Sequence, residues 1–285
     1  MKDRIEKAEI LLEALPYLRR FFGKTIVIKY GGNAMVDDEL RKSVARDVVL
    51  LRFVGMRPVL VHGGGPEISD VMKRLGKEPT FVKGLRVTDA ETMEIVEMVL
   101  MGKTNKGIVS LINQHGGKAV GLSGKDANLF VAEKAEGDVD LGFVGKVTKI
   151  NPEILNALMA EGYIPVISSV AIGAEGESYN INADHIAGEL AAAMGAAKIV
   201  LLTDVRGIYD DINDENTLRS TLTVQEAQKM VCEGIVSSGM IPKVEAAITA
   251  IQGGVEKAHI IDGTLKCSLL MEIFTDTGIG TMITG

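Results

Sequence analysis

Short, continuous apolar runs alternate along the chain with segments whose apolar residues recur at helical spacing. The runs are rich in β-branched residues, which is typical of parallel strands buried on both faces. Six runs predict strands: Ile26–Lys29, Pro58–His62, Lys118–Leu122, Tyr163–Ser168, Lys198–Thr203 and Ala258–Ile261. The alternation predicts an α/β fold, a three-layer αβα sandwich in which a central, mainly parallel sheet carries helices on both faces.

Polar residues in front of the helical segments predict where three helices begin. Residues 88–91 (TDAE) and 223–226 (TVQE) each have the Thr and Glu spacing of a capping box. Asn182 or Asp184 is expected to cap the alanine-rich helix that runs to Met194.

Residues 2–20 predict a helix in front of the first strand. Its apolar residues have helical spacing, and they are Ile5, Ala8, Leu11, Leu12, Leu15 and Leu18. An α/β sheet does not need this helix in order to begin. We expect its apolar stripe either to pack on its own sheet or to meet another subunit, and periodicity alone favours neither.

One section interrupts the alternation of strands and helices. Residues 129–150 have the pattern of short alternating strands with acidic turns, which predicts a β-hairpin inserted over one end of the sheet. A boundary between two lobes is expected near residues 175–179. The chain then divides into an N-terminal helix, an N-lobe and a C-lobe, at residues 1–22, 23–178 and 179–285.

The composition limits the class of protein. The chain has 285 residues, 46% of them apolar, which is enough for two lobes with a sizeable core. Its formal charge of −7 argues against a nucleic-acid partner. Cys232 and Cys267 are isolated, the four histidines form no metal-binding pair, and no apolar stretch is long enough to span a bilayer. The sequence therefore predicts a cytoplasmic protein with reduced thiols.

Two glycine-rich turns follow predicted strands, one at Gly31 and Gly32 and the other at residues 63–65. Glycines leave backbone amides open to a bulky anion because no Cβ blocks the approach. The spacing matches neither a P-loop nor a dinucleotide fingerprint. The pattern therefore indicates an enzyme that handles phosphate through a different design.

Two lysines lie beside glycine turns in distant parts of the chain. Lys29 ends the first predicted strand, and Lys243 follows Pro242 in the first turn of a helix predicted to run to about Gln252. A lysine at a helix N-terminus is electrostatically unfavourable unless an anion is bound there. Lys243 alone would be interpreted as a solvated surface residue. The two together favour a clamp that offsets charge on a transferring phosphoryl group.

Three further polar segments have both a structural and a functional interpretation. Residues 179–184 (YNINAD) either only cap a helix, or bind a substrate through the asparagines while Asp184 pairs with lysines or reaches Mg²⁺ through water. Residues 201–211 either form only a polar loop or bind the ribose or metal of a nucleotide. Arg86 either makes a surface ion pair or binds a carboxylate through a bidentate fork.

Eight segments together resemble the amino acid kinase family in order and spacing, over essentially the whole chain. They are KYGGNAM, VHGGGPEI, GLRVTDAETMEIVEMVLMGKTNK, GLSGKDANL, NINADHIAGELA, LLTDVRGIY, GMIPKVEAA and LLMEIFTDTGIGTMI. GLRVTD and NINAD are similar to the branch that phosphorylates the side-chain carboxylate of N-acetyl-L-glutamate in arginine biosynthesis. The resemblance implies transfer of the γ-phosphate of ATP, giving an acyl phosphate. Because the acceptor is ionised at neutral pH, this reaction needs no general base.

The resemblance also implies roles for individual residues. Lys29 and Lys243 would stabilise the transition state, and Asp184 would organise both lysines. The phosphates and the nucleotide would be bound by Gly31, Gly32, Gly64, Gly65, Thr203, Asp204, Gly207 and Tyr209. The amino-acid substrate would be bound by Gly64, Gly65, Arg86, Asn180 and Asn182. The implied cofactor is ATP with Mg²⁺, without a direct metal ligand from the protein. The N-lobe would then bind the amino acid and the C-lobe the ATP.

The N-terminal helix resembles that of hexameric, arginine-inhibited members of the family, in which it interlaces dimers. The positions similar to their arginine site are Tyr17, Lys198, His259, Glu272 and Gly278. We therefore expect a homohexamer built from dimers and inhibited by L-arginine. A nitrogen-signalling protein is a further candidate regulator.

Two alternatives are left open by the sequence. A related kinase with the same fold would act on acetylated aminoadipate or another acidic acceptor, since the shape of the pocket sets the length of the acid. A catalytically inactive protein would bind arginine or ATP in order to control a partner. The presence of Lys29, Lys243 and Asp184 argues against this second alternative.

Overall fold

The computed structural model describes residue 9 and residues 12–275 and 278–285. The helices are α1 (Leu15–Phe21), α2 (Asp38–Phe53), α3 (Gly65–Arg74), α4 (Ala90–Glu97), α5 (Asn105–Gln114), α6 (Glu153–Ala160), α7 (Ala183–Ala193), α8 (Val224–Cys232), α9 (Ile241–Gln252) and α10 (Ser268–Ile273). The strands are β1 (Thr25–Tyr30), β2 (Arg57–His62), β3 (Phe81–Val82), β4 (Leu85–Arg86), β5 (Ala119–Ser123), β6 (Phe130–Lys134), β7 (Gly145–Ile150), β8 (Ile164–Ser168), β9 (Val170–Ile172), β10 (Ser178–Asn180), β11 (Lys198–Thr203), β12 (Thr221–Thr223), β13 (Lys257–Asp262) and β14 (Thr281–Thr284). A π-helical segment, Met98–Thr104, joins α4 to α5, and short 3-10 turns lie at Gly32–Met35, Asp126–Asn128 and Glu215–Thr217.

An eight-stranded sheet forms the centre of the molecule, in the order β12-β14-β13-β11-β1-β2-β8-β5. The strands from β13 to β5 run parallel, whereas β14 is antiparallel to β13. Each of the six predicted strands is present, and no strand end differs from the predicted one by more than one residue. The prediction of a mainly parallel central sheet is therefore confirmed.

Alternate residues of β1 face opposite layers, because successive side chains of a strand point to opposite faces of the sheet. Ile26 and Ile28 are buried in the core that also takes in α2, whereas Val27 is buried in the core that contains Ile186 of α7. Helices thus cover both faces of the sheet, as the three-layer prediction requires. Lys29 follows Val27 by two residues, so its side chain starts from the α7 side of the sheet.

A smaller sheet, in the order β10-β9-β6-β7, contains the predicted hairpin. β6 and β7 pair antiparallel, from Phe130 opposite Ile150 to Lys134 opposite Gly145. The prediction of a hairpin within residues 129–150 is confirmed. Phe130 and Tyr179 of β10 are buried in the same core as β1 and α7. Their burial fixes the smaller sheet, and with it the end of β10, to the body of the molecule.

Two of the predicted helix caps are present. The Thr223 hydroxyl accepts a hydrogen bond from the Glu226 amide at 3.2 Å, and the Glu226 carboxylate accepts one from the Thr223 amide at 2.7 Å. This is the capping box predicted for α8. Asn182 caps α7 by accepting a bond from the Asp184 amide at 2.8 Å. Because Asn182 provides the cap, the carboxylate of Asp184 is available for other contacts.

The capping box predicted at residues 88–91 is wrong. Asp89 caps α4 by accepting a hydrogen bond from the Thr92 amide at 2.8 Å. The Thr88 hydroxyl donates instead to the carbonyl oxygen of Arg86, also at 2.8 Å. A carboxylate is the stronger acceptor for amides at the positive end of a helix, so Asp89 takes the place predicted for the hydroxyl.

The predicted N-terminal helix lies partly outside the described residues. Three of its apolar positions fall outside them: Ile5, Ala8 and Leu11. At the end of the segment, Phe21 of α1 is buried in the α2 side of the core and Leu18 packs against that core. Leu12 and Leu15 are 66% and 47% exposed. The described end of the helix therefore packs on its own sheet, and contact of the stripe with another subunit stays a prediction.

Cys232 and Cys267 are unpaired and exposed, as their isolated positions suggest. In the part of the chain that the structure describes, no helix combines the length and the apolar content needed to cross a membrane.

Candidate active site

Lys29 reaches Asp184 because of where one strand ends and one helix begins. Lys29 lies near the carboxyl end of β1 and is 8% exposed, and Asp184 lies in the first turn of α7 and is 5% exposed. Lys29 Nζ and Asp184 Oδ1 are 3.0 Å apart. The carboxyl ends of parallel strands are where open α/β sheets bind their ligands.

Lys243 reaches the same carboxylate from another helix. It lies in the first turn of α9, directly after Pro242, as the sequence predicts. Its Nζ atom is 3.4 Å from Asp184 Oδ2 and donates to the Gly239 carbonyl oxygen at 3.1 Å. Two lysines from distant parts of the chain therefore converge on one buried carboxylate.

The charges of this cluster decide how its members titrate. Burial by itself would raise the pKa of Asp184, but the charges of Lys29 and Lys243 outweigh it and hold the pKa below its ordinary value. Burial lowers the pKa of Lys243, and the nearby Asp184 carboxylate opposes that shift. Asp184 is therefore an anion at neutral pH, and each of its two oxygens faces a lysine.

The first glycine turn lies directly after β1. Gly32 has a φ of 69° and begins a 3-10 turn. A Cβ at Gly32 would clash with the carboxylate of Asp204. That carboxylate accepts a hydrogen bond from the Asn33 amide at 2.6 Å. Asp204, which directly follows β11, therefore braces this turn. Position 32 requires glycine because the Asp204 carboxylate leaves no room for a Cβ and because φ is positive.

The second glycine turn, residues 63–65, connects β2 to α3 and includes Gly65, the first residue of that helix. A Cβ at Gly64 would lie 2.6 Å from Leu100 Cδ2, in the π-helical segment. Over the residues that the structure describes, the amides of Gly64 and Gly65 donate to no internal acceptor. These two amides are available to an anion at the start of α3.

Both turns open onto one cavity of about 230 Å³. Its walls include two of the predicted catalytic residues, Lys29 and Asp184. They also include most of the predicted phosphate-binding and substrate-binding residues: Gly31, Gly32, Gly64, Gly65, Arg86, Asn180 and Asn182. Lys243 is not among the lining residues, but its ammonium group lies 3.4 Å from Asp184 Oδ2 in the wall. The structure thus brings together residues from distant parts of the chain, from Lys29 to Lys243.

Arg86 lines this cavity from the short strand β4. Its Nη2 atom donates to the Gly65 carbonyl oxygen at 2.9 Å and to Ser69 Oγ at 2.8 Å. The guanidinium also lies over the Phe81 ring, 4.7 Å from its centroid. Burial lowers the pKa of Arg86. These contacts hold the guanidinium beside the second glycine turn, where it can meet a carboxylate.

Asn180 and Asn182 line the cavity, and each already uses a different part of its side-chain amide in an internal hydrogen bond. The oxygen of the Asn182 side chain is taken by the cap of α7, so its NH₂ group remains for a ligand. Asn180 Nδ2 donates to Thr88 Oγ1 at 3.3 Å, which leaves its carbonyl oxygen for a ligand. The two side chains therefore offer one donor group and one acceptor.

The positions predicted for ATP along residues 203–209 do not line this cavity. Thr203 ends β11, and Asp204 contacts the first glycine turn through Asn33. Gly207 packs against Thr281, and Tyr209 lies further along the same loop. Binding of a nucleotide by these four residues stays a prediction. Asp204 connects their loop to the first glycine turn through its hydrogen bond with the Asn33 amide.

A second cavity, of about 480 Å³, lies at the other end of the strands. Its walls contain all five positions predicted for arginine: Tyr17, Lys198, His259, Glu272 and Gly278. Lys198 is the first residue of β11, whereas Lys29 lies near the carboxyl end of the neighbouring strand β1. The two cavities are therefore at opposite ends of the parallel strands.

Charged groups of both signs face the second cavity. His259 Nδ1 lies 2.5 Å from Glu272 Oε1. Burial lowers the pKa of His259, and the neighbouring Glu272 carboxylate opposes that shift. Burial alone would raise the pKa of Glu272, but the contact with His259 holds it below its ordinary value. Burial also lowers the pKa of Lys198, to about 8. At neutral pH the cavity thus presents an anion and a cation, a combination that suits a zwitterion.

Two buried residues behind the second glycine turn are absent from the sequence predictions. His62 ends β2 and Asn105 begins α5, and His62 Nε2 is 3.0 Å from Asn105 Nδ2. The position of His62 directly before a glycine turn is a signal that can be found in the sequence. Asn105 has no such signal, because the segment around it has an ordinary helical pattern.

Comparison with known proteins gives the same family as the motifs. The amino acid kinase family model matches residues 24–262. A protein of Pelotomaculum thermopropionicum named acetylglutamate kinase is 58% identical over 288 residues, covering 98% of each chain. N-acetylglutamate synthase from Neisseria gonorrhoeae, solved with coenzyme A and N-acetyl-glutamate, has a TM-score of 0.86 and 27% identity, over 98% of this chain and 63% of the synthase chain. Its structure with coenzyme A and L-arginine has a TM-score of 0.82 and 26% identity, over 97% and 65% of the two chains.

This chain therefore spans less than two thirds of the synthase but almost the whole of the kinase relative. The family model covers most of the sequence, including both glycine turns and all three members of the lysine and aspartate cluster. On these grounds the chain belongs to the amino acid kinase family.

Proposed function

We propose that this chain transfers the γ-phosphoryl group of ATP to the side-chain carboxylate of N-acetyl-L-glutamate, a step of arginine biosynthesis. The observation that carries the proposal is the convergence of Lys29 and Lys243 on Asp184 at the wall of a glycine-lined cavity. The similar protein of Pelotomaculum thermopropionicum is named for this activity. Membership of a kinase family accounts for the use of ATP.

The reaction requires charge stabilisation rather than proton transfer. A carboxylate oxygen of the substrate attacks the γ-phosphorus, the bond to the β-phosphate oxygen breaks, and ADP leaves. The product is N-acetyl-L-glutamyl 5-phosphate. No proton moves in this step, because the attacking carboxylate is already ionised. Lys29 and Lys243 would offset the charge that spreads over the phosphoryl oxygens, and Asp184 would hold both lysines in place.

The two substrates would meet at the cavity between the N-lobe, residues 23–178, and the C-lobe, residues 179–285. Arg86 and the amides of Gly64 and Gly65 would bind N-acetyl-L-glutamate, together with Asn180 and Asn182. Gly31 and Gly32 would bind phosphate oxygens of ATP. The rest of the nucleotide would lie along Thr203, Asp204, Gly207 and Tyr209, beside Lys243. Holding both reactants in one geometry supplies a large part of the rate enhancement.

Mg²⁺ would reach the site with the nucleotide. Within residues 12–275 and 278–285, no group of three or more His, Cys, Asp or Glu side chains could hold a metal ion. Both oxygens of Asp184 already face lysines. Mg²⁺ often keeps its waters and is held by substrate phosphates, so these residues fit an ion bound mainly by ATP. Such an ion would neutralise part of the charge on the phosphates.

Formation of a hydroxamate tests this function, because hydroxylamine traps acyl phosphates. We expect an ATP-dependent hydroxamate with N-acetyl-L-glutamate and far less with N-acetyl-L-2-aminoadipate, which is one carbon longer. Reactions without ATP are the control. Activity with the longer acid alone would change the substrate and keep the reaction class. Failure to form either hydroxamate would overturn the proposed activity.

We also propose that L-arginine inhibits this activity from the second cavity, in a cytoplasmic homohexamer built from dimers. Glu272 and Lys198 offer that cavity the charges that would complement a zwitterion, and the similar synthase has been solved with L-arginine. The exposed Leu12 and Leu15 provide an apolar surface for another subunit. A nitrogen-signalling protein is a candidate partner for relieving the inhibition.

Kinase rates measured with and without arginine test the inhibition. Light scattering, which gives the mass of the assembly in solution, tests the hexamer. Glu272→Gln should retain the rate and lose the inhibition, because it removes the anion that would meet the guanidinium. A wild-type rate that does not respond to saturating arginine would overturn the regulatory proposal and leave the proposed reaction intact.

A further inference from the structure

The second glycine turn is held from behind by a buried histidine. His62 is completely buried. Its Nδ1 atom lies 2.8 Å from the Gly63 carbonyl oxygen, and its Nε2 atom lies 3.0 Å from Asn105 Nδ2. A carbonyl oxygen can only accept and the NH₂ group of Asn105 can only donate. The two contacts therefore fix one tautomer, in which Nδ1–H donates to Gly63 and Nε2 accepts from Asn105.

Asn105 connects the ends of three neighbouring strands. It is 1% exposed. Besides His62 of β2, its Nδ2 atom contacts the carbonyl oxygens of Val166 of β8 at 2.9 Å and Leu122 of β5 at 3.3 Å. β2, β8 and β5 are adjacent in the central sheet. The position of the His62 ring is thus tied to the carboxyl edge of the sheet and does not depend on the loop alone.

The π-helical segment Met98–Thr104 delivers Asn105 to this place. Asn105 is the first residue after the segment. Leu100, inside the segment, packs so closely on the turn that a Cβ at Gly64 would lie 2.6 Å from its Cδ2 atom. π-helical turns inside α-helices are rare and are found frequently at functional sites. Here the wider turn sets which side chain of the helix faces His62.

Fixing the Gly63 carbonyl group also fixes the amide that follows it. A trans peptide unit is planar, so the C=O of Gly63 and the N–H of Gly64 point in opposite directions. The oxygen is held toward His62, which directs the Gly64 amide away from the ring. Gly64 lines the cavity that contains Lys29 and Asp184. The carbonyl contact therefore controls the aim of an amide at the reacting centre.

We infer that His62 and Asn105 are positioning residues for the phosphoryl transfer, and that they act through the Gly63–Gly64 peptide. This inference rests on the proposed function. Both side chains are buried and neither lines the cavity, so we do not expect either to touch a substrate. They keep the amides of the second turn aimed into the cavity before the substrates arrive, so that no reorientation is needed during the reaction.

Asn105→Ala, compared with Asn113→Ala, tests this inference. Asn113 lies on the same helix, α5, and its Oδ1 accepts a hydrogen bond from the Ala119 amide at 2.7 Å, at the other end of β5. We expect Asn105→Ala to lower kcat by about tenfold to a hundredfold, less than the loss of an oxyanion-hole donor itself. The KM for N-acetyl-L-glutamate should change by much less. Asn113→Ala should lower the Tm and leave kcat unchanged.

A pair of substitutions at His62 examines the carbonyl contact by itself. The side-chain NH₂ of His62→Asn would stand near the place of Nδ1, where it can donate to Gly63. His62→Gln would place its amide near Nε2 instead and lose that bond. We expect the Asn variant to keep the higher kcat. This comparison also decides the matter if Asn105→Ala does not fold.

Failure of this inference and failure of the proposed function would give different results. A kcat of Asn105→Ala equal to that of Asn113→Ala would overturn it, and so would equal kcat values for His62→Asn and His62→Gln. An inactive wild-type protein would overturn the proposed function, and this inference with it. An active wild type with an unimpaired Asn105→Ala variant overturns the positioning role alone.

Discussion

Lys29 and Lys243 each direct an ammonium group at Asp184, one oxygen apiece. Alanine at either position would remove one of the two positive charges that we propose to lie beside the transferring phosphoryl group. We expect each variant to lower kcat by about a hundredfold or more, with much smaller changes in the KM values of both substrates. Steady-state kinetics measures this division. Lys24→Ala, which removes an exposed lysine directly before β1, is the control and should match the wild type.

Arg86 is expected to affect binding more than turnover, because its fork would hold a substrate carboxylate that takes no part in the reaction. Arg86→Ala should raise the KM for N-acetyl-L-glutamate by about tenfold or more, the loss of a charge-assisted pair, while kcat changes little. Arg86→Lys should not restore the KM, since an ammonium group cannot form the fork. Arg57→Ala, at the exposed start of β2, is the matched control. Equal losses in kcat and kcat/KM would assign Arg86 to the transition state instead.

At the scale of elements, the Asp47 carboxyl group of α2 faces the start of α10 and has a raised pKa. Asp47 of α2 is buried, and its Oδ2 atom has no hydrogen-bond partner among the described residues. Burial raises the pKa of Asp47 to about 7, and the amides of Leu269 and Leu270 at the start of α10 oppose the shift. The folded pKa is thus above the unfolded one. The contribution of Asp47 to stability is complete below the ordinary aspartate pKa and is lost as the pH rises through about 7.

Asp47→Asn should therefore be more stable than the wild type at alkaline pH, with an advantage that disappears toward about pH 4. Asparagine keeps an oxygen that can accept the two amides and removes the buried charge. Urea unfolding across this pH range measures the difference. Ser43→Ala provides the control, since it removes the bond from the Cys267 amide between the same two helices without removing a titrating group. A difference between Asp47→Asn and wild type that stays constant with pH would contradict the assignment.

The sequence was sufficient for those elements whose burial is nearly complete. β11 has the predicted bounds: each of its residues is buried, and the four between Lys198 and Thr203 are all apolar. The cap at Asp89 was missed because two adjacent polar residues competed for one helix end, and local spacing does not rank them. The role of Asn105 depends on contacts with His62, Val166 and Leu122. Such contacts come from the packing of three strands and leave no trace in periodicity.

The candidate site could be predicted only in part for the same reason. Lys29 and the glycines beside it are marked by their place at a strand end, and they do line the cavity. The partnership of Lys243 with Asp184 requires α7 and α9 to pack side by side, which residue types alone do not establish. The positions along the second cavity came from the resemblance to a family, since nothing in their spacing connects Tyr17 to His259.

Across the whole molecule, the two cavities are linked by elements that reach both. β11 begins with Lys198 in the second cavity and ends at Thr203, next to the Asp204 carboxylate that braces the first glycine turn. α10 carries Glu272 of the second cavity and packs against α2, which follows the same turn. A ligand that shifted β11 or α10 at one end would therefore act on the glycine turn at the other.

Lys198 gives this arrangement a pH dependence that can be measured. Burial lowers its pKa to about 8, with Lys257 and Arg20 reinforcing the shift and Glu272 opposing it. If the ammonium binds the carboxylate of arginine, that bond is present at about pH 7 and is lost as the pH rises past the lysine pKa. We expect the half-inhibitory arginine concentration to rise by about tenfold across this range, the equivalent of one charge-assisted hydrogen bond. Lys198→Arg keeps its charge and should show a flatter dependence. Arginine itself titrates identically in both assays. If the half-inhibitory concentration therefore changed with pH in the same way for the wild type and Lys198→Arg, Lys198 would be excluded as the group that binds the carboxylate.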